Sequence, residues 1–201
     1  MQQSENAVDI HLEAIEVLLN HILYVRGIYP SQIFKKRRVY NTPVFVSIFP
    51  PLNNYLANIL RSVREFLIRR ELQCLVLIVY QKENEPLESY QLQMETLEGR
   101  GQSTTEDPHL MEFEQQLRSA IYKLSERLKQ LPKLPAGSCQ FKVHLHTTQD
   151  AYVRFSHDSQ YQEFPWLQAQ TAESQHSQSI SLLPLARVEN VGLKVQALIH
   201  S

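Results

Sequence analysis

The stretch "CLVLIVY" at residues 74–80 is a continuous apolar run. A short run of this kind predicts a central β-strand that is covered on both faces. The polar residues 81–86, "QKENEP", predict a turn, and beyond it Tyr90, Leu92 and Met94 alternate with polar neighbours. Such alternation is typical of a strand with one face in water. The two segments therefore predict an antiparallel hairpin within a sheet.

Three amphipathic helices flank this hairpin in the sequence. Gly27 is a C-terminal stop for the first, Pro50 and Pro51 suit the start of the second, and the third begins at Asp107-Pro108 and stops at Pro132. In each helix apolar residues recur at spacings of three and four, which places them on one side. The three stripes are Val8, Leu12, Ile15, Leu19 and Ile22; Leu52, Tyr55, Ile59, Val63 and Phe66; and Leu110, Phe113, Leu117, Ile121, Leu124, Leu128 and Leu131.

Two later segments also show the period of a half-buried strand. The first contains Cys139, Phe141, Val143 and Leu145, and the second, which follows the apolar residues 180–188, contains Val191, Leu193, Val195, Ala197 and Ile199. In the second segment the opposite face carries Lys194, Gln196 and Leu198. The order of elements predicts an α+β fold, with three helices packed on one face of an antiparallel sheet.

The segment from 147 to 179 has a different composition. It is rich in Gln, Ser, His and Thr, and segments of this kind usually bury too little apolar surface to order themselves. It nevertheless holds the only tryptophan, Trp166, within "QEFPWLQ" at 162–168. The indole either packs in the core and so anchors this segment, or its face contacts a ligand. Proline rings pack well on such aromatic faces.

Length and composition exclude several classes of protein. The 201 residues suffice for one domain or at most two small ones. No apolar run approaches the roughly 18 residues of a membrane span, and the acidic N-terminus does not resemble a secretory signal. The net charge of −1 gives no global attraction to nucleic acid or membrane.

Candidate catalytic groups are few. His144 and His146 share one face of a strand, but no third ligand has a defined spacing to them, as a zinc site requires. Cys74 and Cys139 lie in apolar runs, which favours buried thiols in a reducing compartment over nucleophiles. We therefore expect no enzyme, no metal and no cofactor. A cysteine- or metal-dependent hydrolase is the alternative from another class.

The densest basic cluster is "KKRR" at 35–38, which we interpret as a loop. Such a cluster either stays solvated, contacts phosphates or a partner, or serves as a nuclear import signal. It has no flanking aromatic platform and no basic helix. We therefore expect no direct sequence-specific binding of nucleic acid.

Several motifs together resemble the HORMA-domain family. They are "HILYVRGIYP", "IFKKRRVYNTPVFVS", "FPPLNNYL", "LVLIVY", "GSCQFKVHLHT" and "QEFPWL" with "SLLPL", in the family's order over nearly the whole chain. "KKRRVYN.PV", "LN.Y" and "FPW" resemble the branch that is the accessory subunit of the translesion DNA polymerase zeta, the mitotic-arrest-deficient-2-like-2 type. The resemblance implies a single HORMA domain over 1–201, with a core of about 1–146 and a C-terminal seat-belt segment of about 147–201 that wraps over an extended partner peptide.

The resemblance also implies where the peptide binds and where the domain pairs. Tyr55 and Trp166 match aromatic residues that grip a Pro-containing peptide of the catalytic subunit of polymerase zeta, and Tyr29 is assigned to the same site. Arg118 matches an arginine of the family's dimerisation face, with Lys36 in the corresponding basic loop. A HORMA homodimer or heterodimer is therefore expected.

A further implied site faces the scaffold polymerase, a deoxycytidyl transferase. Leu182 and Gln196 match positions that contact its C-terminal domain. Leu198 stands where the vertebrate-type sequence has a tyrosine, so an apolar contact can survive there but a hydroxyl hydrogen bond cannot.

The function implied is that of a non-catalytic adaptor in translesion DNA synthesis, located in the nucleus and also in the cytoplasm. Belt closure adds a two-state switch on which a remodelling ATPase can act. The alternative within the family is a checkpoint-type or meiotic HORMA protein that captures a different closure motif.

Overall fold

The computed structural model describes residues 2–39, 41–81, 86–94, 106–135, 137–157, 180–189 and 192–200. The helices within these ranges are α1 (Gln2–Val25), α2 (Pro50–Ile68), α3 (Glu106–Gln130) and α4 (Gln149–Phe155), with a 3-10 turn at Ser31–Ile33. The strands are β1 (Phe34–Val39), β2 (Thr42–Ser47), β3 (Leu72–Tyr80), β4 (Pro86–Met94), β5 (Gln140–Thr147), β6 (Ile180–Val188) and β7 (Leu193–His200).

The three long helices begin and end close to where the sequence predicts. Helix α1 ends at Val25, and Gly27 follows with a φ of 64°, a left-handed conformation that favours glycine. Helix α2 begins at Pro50, where a missing backbone N–H costs nothing. Helix α3 begins at Glu106, so the predicted N-cap Asp107 and the predicted first helical residue Pro108 lie within its first turn.

Strands β3 to β7 form a five-stranded antiparallel sheet in the order β5-β3-β4-β7-β6. The predicted central hairpin is confirmed, because β3 and β4 pair antiparallel with Leu77 opposite Tyr90. Strand β3 is central, with a neighbour on each side. Its predicted coverage on both faces is only partly right, because Leu75, Leu77 and Val79 are fully buried on one face, whereas Cys74, Ile78 and Tyr80 on the other are half-buried. Strands β5 and β6 lie at the two edges.

Helices α1, α2 and α3 and the sheet share one hydrophobic core, so the predicted α+β fold is confirmed. On β7, Leu193, Val195 and Ala197 are fully buried, as their alternation predicts, and Ile199 is partly buried against the same core. Val191 lies outside the described residues. The largest fully buried side chains are Tyr90, Phe66, Ile15, Leu18, Leu19, Ile22, Leu23, Leu75, Leu77, Leu92, Leu117 and Leu124.

A buried ion pair ties the ends of α1 and α3 to the sheet. Arg26 and Glu88 are 8% and 3% exposed, and Nε of Arg26 donates to Oε2 of Glu88 at 2.9 Å. The same guanidinium donates to the carbonyl oxygens of Leu128 at 3.1 Å and Pro132 at 2.6 Å. The hydroxyl of Tyr90 donates to Glu88. Each polar group in this apolar region therefore has a partner, as buried charges require.

The structure corrects the interpretation of "KKRR" as a loop. Residues 35–38 belong to β1, which pairs antiparallel with β2 in a separate two-stranded sheet. Four successive cations have no apolar alternation, so the pattern that marks a strand is missing. The short helix α4 was also not predicted, because it lies in the polar segment after residue 147. Its N-cap is Thr148, whose side chain accepts from the N–H of Ala151.

Among the described residues, no helix combines the length and the apolar character that a bilayer crossing needs.

Candidate functional site

Strand β5 presents an unpaired edge of the sheet. On one side it pairs with β3, and no described strand lies on its other side. The N–H of Val143 donates to the hydroxyl of Tyr55 at 3.2 Å, so it points away from β3. In an antiparallel pair the outward groups recur at every second residue. The backbone of Phe141 and Leu145 is therefore directed to the same open side.

An aromatic cluster lies beside this edge. The rings of Tyr55 and Phe141 meet edge to face with centroids 5.4 Å apart, and those of Tyr29 and Phe141 do so at 6.1 Å. Phe49 extends the cluster at 6.3 Å from Tyr29. The predicted peptide residues Tyr29 and Tyr55 are thus brought together, with Phe141 between them. Trp166 lies outside the described residues.

Tyr55 corrects one detail of the predicted helix stripe. Its side chain is 39% exposed, whereas the next residue, Leu56, is 3% exposed and packs in the core. Partial burial raises the pKa of Tyr55, and the hydrogen bond from Val143 offsets part of the rise. Burial also raises the pKa of Tyr29. Both hydroxyls therefore keep their protons at neutral pH and can donate to a ligand.

A pocket opens next to the cluster, at the start of β5. It has a volume of about 450 Å³ and is lined by Ile28, Tyr29, Tyr80, Gly137, Ser138, Cys139, Gln140 and Phe141. A pocket of this size beside an open strand edge can take a side chain of a peptide paired with that edge. Sequence reasoning identified Phe141 only as an inward-facing strand residue, because the edge position of β5 depends on the order of the strands.

The second predicted site lies at the opposite edge of the sheet. Leu182 on β6 is directly opposite Leu198 on β7, and Pro184 is opposite Gln196. Leu182 is 55% exposed and Leu198 is half-buried. Gln196 is 6% exposed, and its Nε2 donates to Oε1 of Gln91 at 2.7 Å. The two leucines therefore form an accessible apolar pair, and Gln196, on the same face of β7 as Leu198, is buried against Gln91 on β4.

The predicted pairing residues occupy neighbouring elements. Arg118 is exposed on α3, and its Nη2 donates to the carbonyl oxygen of Asn41 at 3.4 Å. Asn41 is in the turn that joins β1 to β2, and Lys36 is exposed on β1. Lys36 is thus on a strand, not in the basic loop that the resemblance implies.

The candidate catalytic groups lack the properties of an active site. Burial raises the pKa of the Cys74 thiol to about 11 and also raises that of Cys139, so both stay protonated. Both thiols are half-buried, whereas the sequence predicts buried ones. His144 and His146 are exposed on β5, and among the described residues no group of three potential ligands could hold a metal ion.

The chain is similar to known proteins over most of its length. The HORMA-domain family model matches residues 8–182. DNA polymerase zeta subunit 2 of Drosophila melanogaster is 69% identical over 198 residues, which is 98% of this chain and 98% of that protein. The mitotic spindle assembly checkpoint protein MAD2B of Homo sapiens is 34% identical over 188 residues, 94% of this chain and 87% of that protein.

Solved structures share the fold. A chain of the mitotic checkpoint complex superposes with a TM-score of 0.75 at 20% identity, covering 97% of this chain and 98% of that one. C. elegans HTP-2 bound to HTP-3 closure motif 1 superposes with a TM-score of 0.71 at 17% identity, covering 98% and 87%.

Proposed function

The chain belongs to the HORMA-domain family, in the branch of polymerase zeta accessory subunits, and we propose that its edge strand β5 captures a Pro-containing peptide of the polymerase's catalytic subunit. The protein is not an enzyme, since its relatives bear the names of a polymerase subunit and of checkpoint proteins. A DNA polymerase subunit acts in the nucleus. A cytoplasmic pool belongs to the proposal.

The observation that carries this proposal is the open edge of β5 next to an aromatic cluster in which Tyr55 is exposed and Tyr29 and Phe141 are half-buried. An extended peptide can add to such an edge through main-chain hydrogen bonds, and side-chain pockets then provide specificity. Proline has no N–H for the ladder, but its ring packs well on aromatic faces. The cluster of Tyr29, Tyr55 and Phe141 offers such faces within reach of the edge.

The C-terminal hairpin supports the seat-belt part of the proposal. Strands β6 and β7 lie next to β4, at the edge opposite β5. With strands about 4.8 Å apart, the two edges are separated by roughly 19 Å. The chain leaves β5 and α4 on one side and enters β6 on the other, so we propose that the intervening residues 158–179, with Trp166, close over the bound peptide.

Two further partners belong to the proposal. The apolar pair of Leu182 and Leu198 is proposed to contact the scaffold deoxycytidyl transferase polymerase, which would make the protein a bridge between two polymerases. Arg118 and Lys36 are proposed to lie on a HORMA pairing surface. A remodelling ATPase is the proposed agent that reopens the belt.

Peptide titration tests the capture. Calorimetry with a Pro-containing segment of the catalytic subunit should give tight binding, and replacing its prolines by alanine should weaken it. Trp166→Ala should reduce the affinity by about 2 kcal/mol or more while the fold remains, as for an aromatic hot spot. Tyr122→Ala is a suitable control, because Tyr122 is an exposed aromatic residue on α3. Binding that ignores the prolines would contradict the proposal.

A further inference from the structure

The outer strand of the small sheet carries four consecutive cations. Lys35, Lys36, Arg37 and Arg38 are all exposed on β1. Their cross-strand partners on β2 are Val46, Phe45, Val44 and Pro43. None of these partners is charged, so strand pairing neutralises none of the four.

Carboxylates elsewhere neutralise little of this charge. The salt bridges among the described residues are Arg26–Glu88, Arg64–Asp9, Lys129–Glu126 and Arg154–Glu71, and none includes a cation of β1. Arg37 interacts electrostatically with Glu16 on α1. Burial and Glu13 raise the pKa of Glu16, and Arg37 lowers that pKa in part. The charges of Lys35, Lys36 and Arg38 have no such partner in the described part of the chain.

Strand β1 carries more positive charge than is needed to keep its free edge from pairing with other chains. Strand β1 has a free edge, and a charged residue on such an edge discourages pairing with other chains. Here the cations fill successive positions, and successive side chains point to opposite faces. Both faces of the strand are therefore basic, and a duplex lying along the free edge of β1 is within reach of the long side chains on both faces. The guanidinium of Arg118, 3.4 Å from the carbonyl oxygen of Asn41, adds a cation at the turn, with Glu114 as the acid near it.

We propose that β1 is a contact surface for the phosphate backbone of DNA, separate from the peptide site at β5. The four cations span about 10 Å of strand. Duplex DNA carries one charge per about 1.7 Å of its axis with both strands counted, so roughly six phosphate charges lie along a length of that size, more than the four cations need. An acidic peptide fits this surface less well. A peptide that adds to a strand edge is recognised through pockets for its side chains, whereas residues 35–38 provide positive charge alone. The contact reads no bases, so it is independent of sequence.

The salt dependence of binding tests this surface. Neutralising four phosphates gives a slope of about −3.6 in log K against log salt, so the affinity for a random-sequence duplex should fall roughly 100-fold between about 50 and 200 mM salt. In Lys35→Gln/Arg38→Gln the slope should fall to about −1.8 and the loss to roughly 10-fold. Fluorescence anisotropy of a labelled duplex measures both. Lys36 and Arg118 stay intact, so the proposed pairing surface is unchanged.

Arg61→Gln/Lys133→Gln is the matched control. Both residues are exposed, and they lie on α2 and between α3 and β5, so the net charge changes equally without a change in β1. The control should keep the wild-type slope, and thermal melting verifies that each variant is folded. An equal loss in both variants, or no DNA binding by the wild type, would overturn the proposal. Competition by polyglutamate as strong as that by DNA of equal charge would assign β1 to an acidic protein instead.

Discussion

At the scale of single residues, Tyr55 contacts the open edge of β5 in two ways, through its ring and through its hydroxyl. Its ring belongs to the aromatic cluster, and its hydroxyl accepts the hydrogen bond that a neighbouring strand would otherwise accept from Val143. A captured peptide can supply a carbonyl oxygen in place of this hydroxyl. The ring and the hydroxyl can therefore be tested apart.

Tyr55→Phe should keep the peptide affinity to within about 0.5 kcal/mol, since the peptide replaces the lost acceptor. Tyr55→Ala should weaken binding by about 2 kcal/mol, because it removes the ring. Calorimetric titration distinguishes the two. If the phenylalanine variant lost as much as the alanine variant, the hydroxyl would be the contact and the strand-addition geometry would be wrong.

His21 makes the stability depend on pH. It is 4% exposed, its Nε2 is 2.7 Å from the hydroxyl of Ser125, and its Nδ1 has no hydrogen-bond partner. Burial, with a smaller effect of Lys129, lowers its pKa from 6.5 to about 4. Protonation thus favours the unfolded chain. The contribution of neutral His21 to the free energy of unfolding is fully present above pH 6.5 and is lost progressively as the pH falls from 6.5 to about 4.

Between neutral pH and about pH 4, the titration of His21 should lower the free energy of unfolding of the wild type by about 3 kcal/mol. In His21→Gln this pH-dependent loss should be absent. Urea denaturation at a series of pH values measures this slope. A wild-type slope in His21→Gln would show that another group titrates.

The sequence predicts the burial of a single residue well where the pattern of its own helix or strand decides that burial. The inward face of β7 was predicted because alternation alone fixes it. Tyr55 and Gln196 could not be placed in this way. Tyr55 lies at the margin of the helix stripe, where the position of β5 decides its exposure, and Gln196 is buried through Gln91 on a neighbouring strand.

At the scale of elements, the C-terminal hairpin and the β5 edge are separate surfaces. Strands β6 and β7 pair at one side of the sheet and β5 lies at the other. A change on the accessible leucine pair should therefore leave the peptide site intact.

Leu198→Asp should abolish binding of the scaffold polymerase's C-terminal domain, because it buries a charge in an apolar contact. Capture of the catalytic-subunit peptide should persist. Pull-downs with each partner separate the two activities, and Val153→Asp serves as a control at an exposed apolar position on α4. Release of the peptide by Leu198→Asp would assign this residue to belt docking.

Helix α3 provides the second element-scale prediction. Arg118→Ala should give a monomer that still binds peptide, since Arg118 is exposed and its guanidinium lies at the turn between β1 and β2, outside the aromatic cluster. Sedimentation velocity of the peptide-bound protein measures this, with Lys123→Ala as the control on the same helix. If the peptide-bound wild type were itself a monomer, Arg118 would have no role in pairing.

Elements were predictable where their period is long and regular. The three long helices have stripes of five or more apolar residues in the sequence. Strand β1 was missed because tertiary pairing with β2 holds four cations extended, and charge carries no strand period. Helix α4 has only seven residues, and its anchors, Ala151 and Phe155, are too few to show a period.

At the scale of the whole molecule, the five-stranded sheet carries two of the proposed surfaces, and the small sheet carries the third. The peptide edge, the leucine pair and the basic strand β1 lie on different elements, and the buried Arg26–Glu88 pair ties two helix ends to the sheet between them. The fold class was predictable from the sequence, but the order of strands was not. That order alone decides which strand is left open.

Site-resolved amide hydrogen exchange reports whether β5 captures the peptide. Adding the Pro-containing peptide should slow exchange at the outward amides of 141, 143 and 145, while a peptide with its prolines replaced should not. Strand β3, already paired on both sides, should change little. Peptide binding that leaves β5 unprotected, or that protects the β6 edge instead, would contradict the account.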